Sequence, residues 1–286
     1  MVALSVWFTI GGQGLLLWAE DAFTGVEVDE SRVVKQQLYQ DSRRACGPTA
    51  LINVLRSGTP KMQAAYDSLL GGSESKRLRF VIDRYFKNKT SGVFPRSKRF
   101  GHQGVFAADL CAAFNDLLKD HEMQPVTRLE LDRREGEGDE DFLARVHGSL
   151  RRSLSEGVPP IIQLRSYTAS REKEGDGWVQ WEASKNHFVV VTRVPAKLRK
   201  QDSGFVFDAI DPNRGVLVSG YVYAERHLPY RASKVNSKTG EEQWLSGRPF
   251  LLVKAPGVVS LQPKKATWED RVIVTLSEAI GRFGAF

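Results

Sequence analysis

Asn186-His187-Phe188-Val189-Val190-Val191-Thr192-Arg193-Val194 is the stretch on which the fold turns. Its β-branched residues favour a pleated strand, because the preceding turn of a helix would crowd them at χ1. Upstream, apolar residues recur at helical spacing: Phe106, Leu110, Ala113, Phe114, Leu117 and Leu118 fall on one helix face. Helices are expected over Cys46–Arg56, Lys61–Leu70, Glu74–Phe86, Val105–His121 and Asp139–Ser155, with a weak strand over Val126–Leu131. Pro48 suits the first turn of the first helix and Gly58 its end. Strands are expected over Pro159–Leu164, Trp178–Trp181, His187–Val194, Phe205–Ile210, Val216–Val222 and Phe250–Val253. Helices first and strands later predict an α+β fold, with an antiparallel sheet packed against a helical half.

The 286 residues suffice for one large domain. The helical part is placed at about 46–156 and the sheet part at about 157–254. Residues 255–286 read as a linker followed by an amphipathic helix over Trp268–Phe283. Met1 to Ala19 carry no charged side chain. They fit either a weak signal peptide cleaved near Ala19, which would imply export, or an N-terminal strand over Ala3–Ile10. No other segment is apolar enough to span a bilayer.

Two cysteines cannot make a disulfide framework, and they lack metal-ligand spacing, so neither a metal nor a cofactor is implied. The net charge of +7 is concentrated: Lys76–Arg99 holds nine basic residues against one acid, Asp83. Such a stretch is either a solvated basic face or a contact for an anionic partner. No nucleic-acid-binding motif accompanies it.

The chemistry gathers around Cys46. Thiolates attack carbonyls, and a helix N-terminus lowers a thiol's pKa. Cys46 stands at the head of the first expected helix, behind the polar run Asp41-Ser42-Arg43-Arg44. His187 is the best base, placed at the start of its strand at a sheet edge. His102, His121, His147 and His227 have charged or Gly-flanked surroundings and are expected to be exposed. An imidazole needs an orienting acid. Asp211, at the end of the following strand before Pro212, is preferred over Asp208, which points to the other face. Asp211 also fits a plain Asx turn. Gln40, with Gln36 and Gln37 as alternatives, and the Cys46 N–H would stabilise an oxyanion. Cys111, in the apolar face of Ala107–Phe114, is expected to be buried and inert.

Gln40, Cys46-Gly47-Pro48, Gly157-Val158-Pro159-Pro160-Ile161-Ile162, His187 to Val191 and Asp211-Pro212-Asn213-Arg214-Gly215 occur in that order. This set resembles the papain-like superfamily of cysteine peptidases, and within it the stand-alone relatives of peptidases that process double-glycine leaders. The resemblance covers roughly Val33–Gly220. It implies a papain-like fold, with a helical lobe bearing Cys46 against a sheet bearing His187 and Asp211. It further implies Cys46 as nucleophile, His187 as base, Asp211 as orienter, Gln40 in the oxyanion hole and a peptide or protein as substrate. Phytochelatin-synthase-like transpeptidases share the triad order, so an acyl transferase is an alternative, as is a binding module that keeps the fold without catalysis. The segment Lys61–Gly138 makes the Cys46–His187 interval longer than in leader-processing peptidases.

Overall fold

A computed structural model describes residues 22–35, 44–102, 104–169, 179–226, 230–236, 239–261 and 272–284. Five α-helices occur among them: α1 (Cys46–Ser57), α2 (Pro60–Ser68), α3 (Glu74–Val81), α4 (Ala107–Asp120) and α5 (Asp139–Ser155). The strands are β1 (Phe23–Gly25), β2 (Thr127–Glu130), β3 (Ile161–Ala169), β4 (Val179–Pro195), β5 (Gly204–Asp211), β6 (Val216–Tyr223), β7 (Tyr230–Val235), β8 (Glu242–Leu245), β9 (Leu251–Lys254) and β10 (Val272–Gly281).

Local chemistry sets the helix ends. Thr59 caps α2 by accepting from the Met62 N–H, and Pro60 occupies its first position, where no amide donor is needed. Ser73 caps α3 at the Lys76 N–H. The Gly58 N–H closes α1 on the Val54 carbonyl at 2.8 Å. α5 begins with Asp139, Glu140 and Asp141 and carries Arg152 in its last turn, matching charge to the helix dipole at both ends. The expected helix over Glu74–Phe86 is helical throughout but widens to a π-helix at Ile82–Lys87.

The sheet corrects the expected fold class. It is not a papain-like sheet packed against a helical lobe, because β3, β4, β5, β6, β9 and β10 close into a six-stranded antiparallel barrel. Each neighbouring pair is antiparallel, and the ring closes where β10 lies between β9 and β3. Leu276 of β10 faces Leu251 on one side and Leu164 on the other. The closing strand comes from the segment expected to be an amphipathic helix. Val272-Ile273-Val274-Thr275 is a β-branched run, and the ring offers it a partner on each flank. A bulge between Leu276 and Glu278 bends β10 there.

Pleating sorts the β4 side chains between two cores. Val189 and Val191 join residues from all six barrel strands, including Ile162, Phe207, Val222, Val253 and Leu276, together with the apolar face of α5. Phe188 and Val190 point the other way, into the core shared with α1 and α4. The described part of the expected strand Trp178–Trp181 and the expected strand His187–Val194 belong to one long strand, β4. His187 lies within it, paired with Leu164 of β3, and not at a strand start. β7 and β8 extend the sheet beside the first residues of β4, where β7 pairs parallel to Val179–Trp181.

His147 is the histidine whose expected exposure is overturned. It is 4% exposed, its Nε2 is 2.8 Å from the Pro195 carbonyl, and its ring meets Phe205 edge-on. It stands one turn after Leu143 on the buried stripe of α5, so helical position outweighs the charged neighbours. Burial pushes its pKa below the ordinary value. Residues 1–21, which hold the expected signal peptide or strand, lie outside the described residues. No helix among the described residues is long and apolar enough to cross a membrane.

Candidate active site

Cys46 is the first residue of α1, whose N-terminus carries partial positive charge. The thiol is half-buried, and the helix behind it is fixed by Ala50, Leu51, Val54 and Leu55 in the core. Gly47 follows because nothing larger fits: a Cβ there would run into Val105 Cγ1 and touch Phe188. Arg44, just ahead, donates from its guanidinium to the His102 carbonyl, and this ties the nucleophile's approach to the loop before α4.

His187 is 3% exposed, and its Nε2 lies 2.7 Å from Asp211 Oδ1. The register explains the meeting. Val190 faces Ile210 across β4 and β5, so one further step puts Val189 opposite Asp211. His187 is then the diagonal neighbour on the same face, within reach of a long side chain. With Nε2 engaged, Nδ1 is the ring nitrogen left for the Cys46 thiol, whose interaction with the imidazole helps raise the ring's pKa.

Asp211 is fully buried. Its Oδ1 also accepts from the Asn213 N–H at 2.9 Å, so the residue makes an Asx turn and orients the imidazole with one oxygen. The turn closes with the Gly215 N–H on the Asp211 carbonyl at 2.7 Å, and Gly215 has φ +65°, a conformation side chains disfavour. Asp211 Oδ2 is buried with no hydrogen-bond partner. Asp208 faces the other way, bound to Arg193 Nε at 2.6 Å and to the Ser219 hydroxyl at 2.7 Å.

The electrostatics favour an ion pair. Burial pushes the Cys46 thiol up, but the hydrogen bond and charge of His187, with the Phe188 and Gly47 N–H groups, outweigh it and hold the thiol below its ordinary value. Burial pushes the His187 imidazole down, yet the Asp211 hydrogen bond and the Cys46 interactions lift it to about 9. Cys111 is the contrast: buried on α4, it is pushed up to about 11. Both cysteines are free thiols.

The site thus brings together Cys46, His187 and Asp211. Gln40, Gln36 and Gln37 lie outside the described residues. Sequence reasoning missed the Phe188 N–H, which helps hold the Cys46 thiol below its ordinary value; the signal was its place directly after His187 on a strand that passes the head of α1. It also missed Val105, whose contact with Gly47 joins elements far apart in the chain. No group of His, Cys, Asp and Glu among the described residues could hold a metal.

The basic stretch is partly neutralised within the fold. Arg84 pairs with Asp120 at 2.8 Å, Arg99 with Asp116 at 2.7 Å and Lys87 with Asp83 at 3.8 Å. Lys76, Lys89, Arg96 and Lys98 are exposed. No known protein family, curated protein or solved structure matches the chain.

Proposed function

We infer that the protein is a cysteine-type amide hydrolase acting on peptides or proteins through a thioester acyl-enzyme. The observation that carries this reading is one imidazole held between a helix-head thiol and a buried carboxylate, with Nε2 2.7 Å from Asp211.

The Cys46 thiolate attacks the substrate carbonyl carbon. The resulting oxyanion faces the Cys46 N–H, which at a helix head has no acceptor within the helix. Gln40 is the proposed second donor. The His187 imidazolium protonates the leaving nitrogen, the C–N bond breaks, and a thioester remains. The imidazole, now neutral, takes a proton from water as the water attacks the thioester. The acid leaves, and the proton on His187 again faces the thiolate. Asp211 holds the ring tautomer throughout and stays ionised. The exposed Lys76, Lys89, Arg96 and Lys98 are the groups an anionic substrate or partner would meet.

Digestion of a peptide library by the wild type and by Cys46→Ala tests this. New termini should appear with the wild type and vanish with the variant. Joined peptides in place of free acids would make the enzyme an acyl transferase. No Cys46-dependent product of either kind overturns the reading.

A further inference from the structure

A polar pocket lies at the end of α1 opposite Cys46. It has a volume of about 210 Å³ and is lined by Glu27, Asp29, Arg32, Asn53, Arg56 and Gln63, with Val33 and Ser57. Roughly 15 Å of helix separates its Arg56 from Cys46. The volume is below the roughly 300–1,000 Å³ of pockets for drug-sized ligands, and equals that of about seven waters.

Charge is arranged in opposed pairs. Glu27 and Asp29 contribute carboxylates, and Arg32 and Arg56 contribute guanidinium groups. Arg56 is held rigidly. Its side chain is 9% exposed, Nη1 bonds Glu74, and the guanidinium carbon sits 4.8 Å from the centre of the Tyr66 ring. Its Nε is buried and has no acceptor. A buried guanidinium N–H without a partner is unfavourable, and an anionic oxygen in the pocket would satisfy it. Arg32 is exposed and lines the same pocket. Asp29 lies in the field of both arginines; its Oδ1 accepts from the Ser31 N–H at 3.0 Å and from the Ser31 hydroxyl at 2.6 Å. Of the lining residues only Val33 is apolar, which disfavours a hydrophobic ligand.

We propose that this pocket binds a small zwitterion, a free α-amino acid, with its carboxylate on Arg56 and Arg32 and its ammonium on Asp29 and Glu27. A simple anion would meet two carboxylates, and a simple cation two guanidinium groups; a zwitterion offends neither. Asn53, on the pocket wall, accepts from the Val34 N–H at 2.8 Å and donates to the Val34 carbonyl at 3.0 Å, which fixes the segment after Val33 against α1.

Isothermal titration of the full chain with glycine, L-alanine and L-serine tests the site, with acetate and methylammonium as half-ligand controls. At least one amino acid should bind in the millimolar range or tighter, and neither control should. Arg32→Ala and Asp29→Asn, both at exposed positions, should each weaken binding by about tenfold while leaving the melting temperature unchanged. The proposal is overturned if none of the three amino acids binds up to about 10 mM. It is equally overturned if acetate binds as well as they do, or if both variants bind like the wild type.

Discussion

His187 Nε2 and Asp211 Oδ1 lie 2.7 Å apart, although the two residues are not opposite each other in the β4–β5 register. They meet diagonally on one face, and the Asx turn at Asp211-Pro212-Asn213 holds the carboxylate in place. The strand pair therefore fixes the ring's orientation before any substrate arrives.

That geometry sets a pH profile. In the mechanism we propose, the working form has Cys46 ionised and His187 protonated. Activity should rise with pH as the thiol, held below its ordinary value, ionises, and fall as the imidazole loses its proton near pH 9. Asp211→Asn keeps a hydrogen-bonding group but removes the charge that lifts the imidazole, so the alkaline limb of kcat/KM should move to lower pH. A limb that stays in place would show that Asp211 does not set the imidazole.

The two thiols should differ sharply in reactivity. At pH 7 a thiol titrating at about 11 is ionised to only about one part in 10⁴, and Cys111 is buried besides. Iodoacetamide should label Cys46 rapidly and leave Cys111 intact, as read by mass spectrometry of digests. His187→Ala should slow Cys46 labelling near neutral pH. Equal, slow labelling of both cysteines would refute an activated thiolate.

Gly47 and Val105 form a pair in which one must stay small. Gly47→Ala should destabilise the fold by about 1–3 kcal/mol through overpacking and reduce activity by displacing the head of α1. Adding Val105→Ala removes the clashing methyl groups and should restore both. Chemical denaturation alongside kinetics of the single and double variants measures this; a double variant no better than Gly47→Ala would place the damage elsewhere.

His147 predicts an acid-side loss of stability. Its folded pKa is depressed by burial, so the unfolded chain binds the proton more readily. The stability linked to the neutral ring is full above about pH 6.5 and is lost as pH falls through the depressed value. His187, raised to about 9 in the fold, works in the opposite sense: its contribution is full below about pH 6.5 and is lost as pH rises toward 9, and it is common to the wild type and His147→Gln. Melting temperatures from pH 7.5 to 5 should fall less steeply for His147→Gln than for the wild type, and identical slopes would remove His147 as the cause.

The site was more legible in the sequence than the fold. Cys46, His187 and Asp211 each carry a local signal: a cysteine before a helix with Pro48 in its first turn, an imidazole at the head of an apolar run, and an aspartate before Pro212. α5 was legible to the residue because its acidic start and apolar stripe are both local. Barrel closure was not legible, because it depends on β10 pairing with β3 and β9, strands distant in the chain. The register Thr275–Leu252 leaves no mark on residues 272–281 themselves. β7 and β8 went unseen for a similar reason: Tyr230-Arg231-Ala232-Ser233-Lys234-Val235 is half polar, and the neighbouring strands stabilise it. His147 shows the converse error, where local charge hid a buried position.

The way the barrel closes has a consequence for biosynthesis. The ribosome delivers Cys46 first, then His187, then Asp211, and, of the barrel strands, the one that seals the ring last. Until β10 emerges, β3 and β9 are nascent edges with unsatisfied amides, open to strands of other chains. Cys46, His187 and Asp211 are then all outside the ribosome, but the frame that holds two of them is still an open ribbon. A protein with this strand order completes the frame around His187 and Asp211 only after β10 has been made, well after the three site residues themselves.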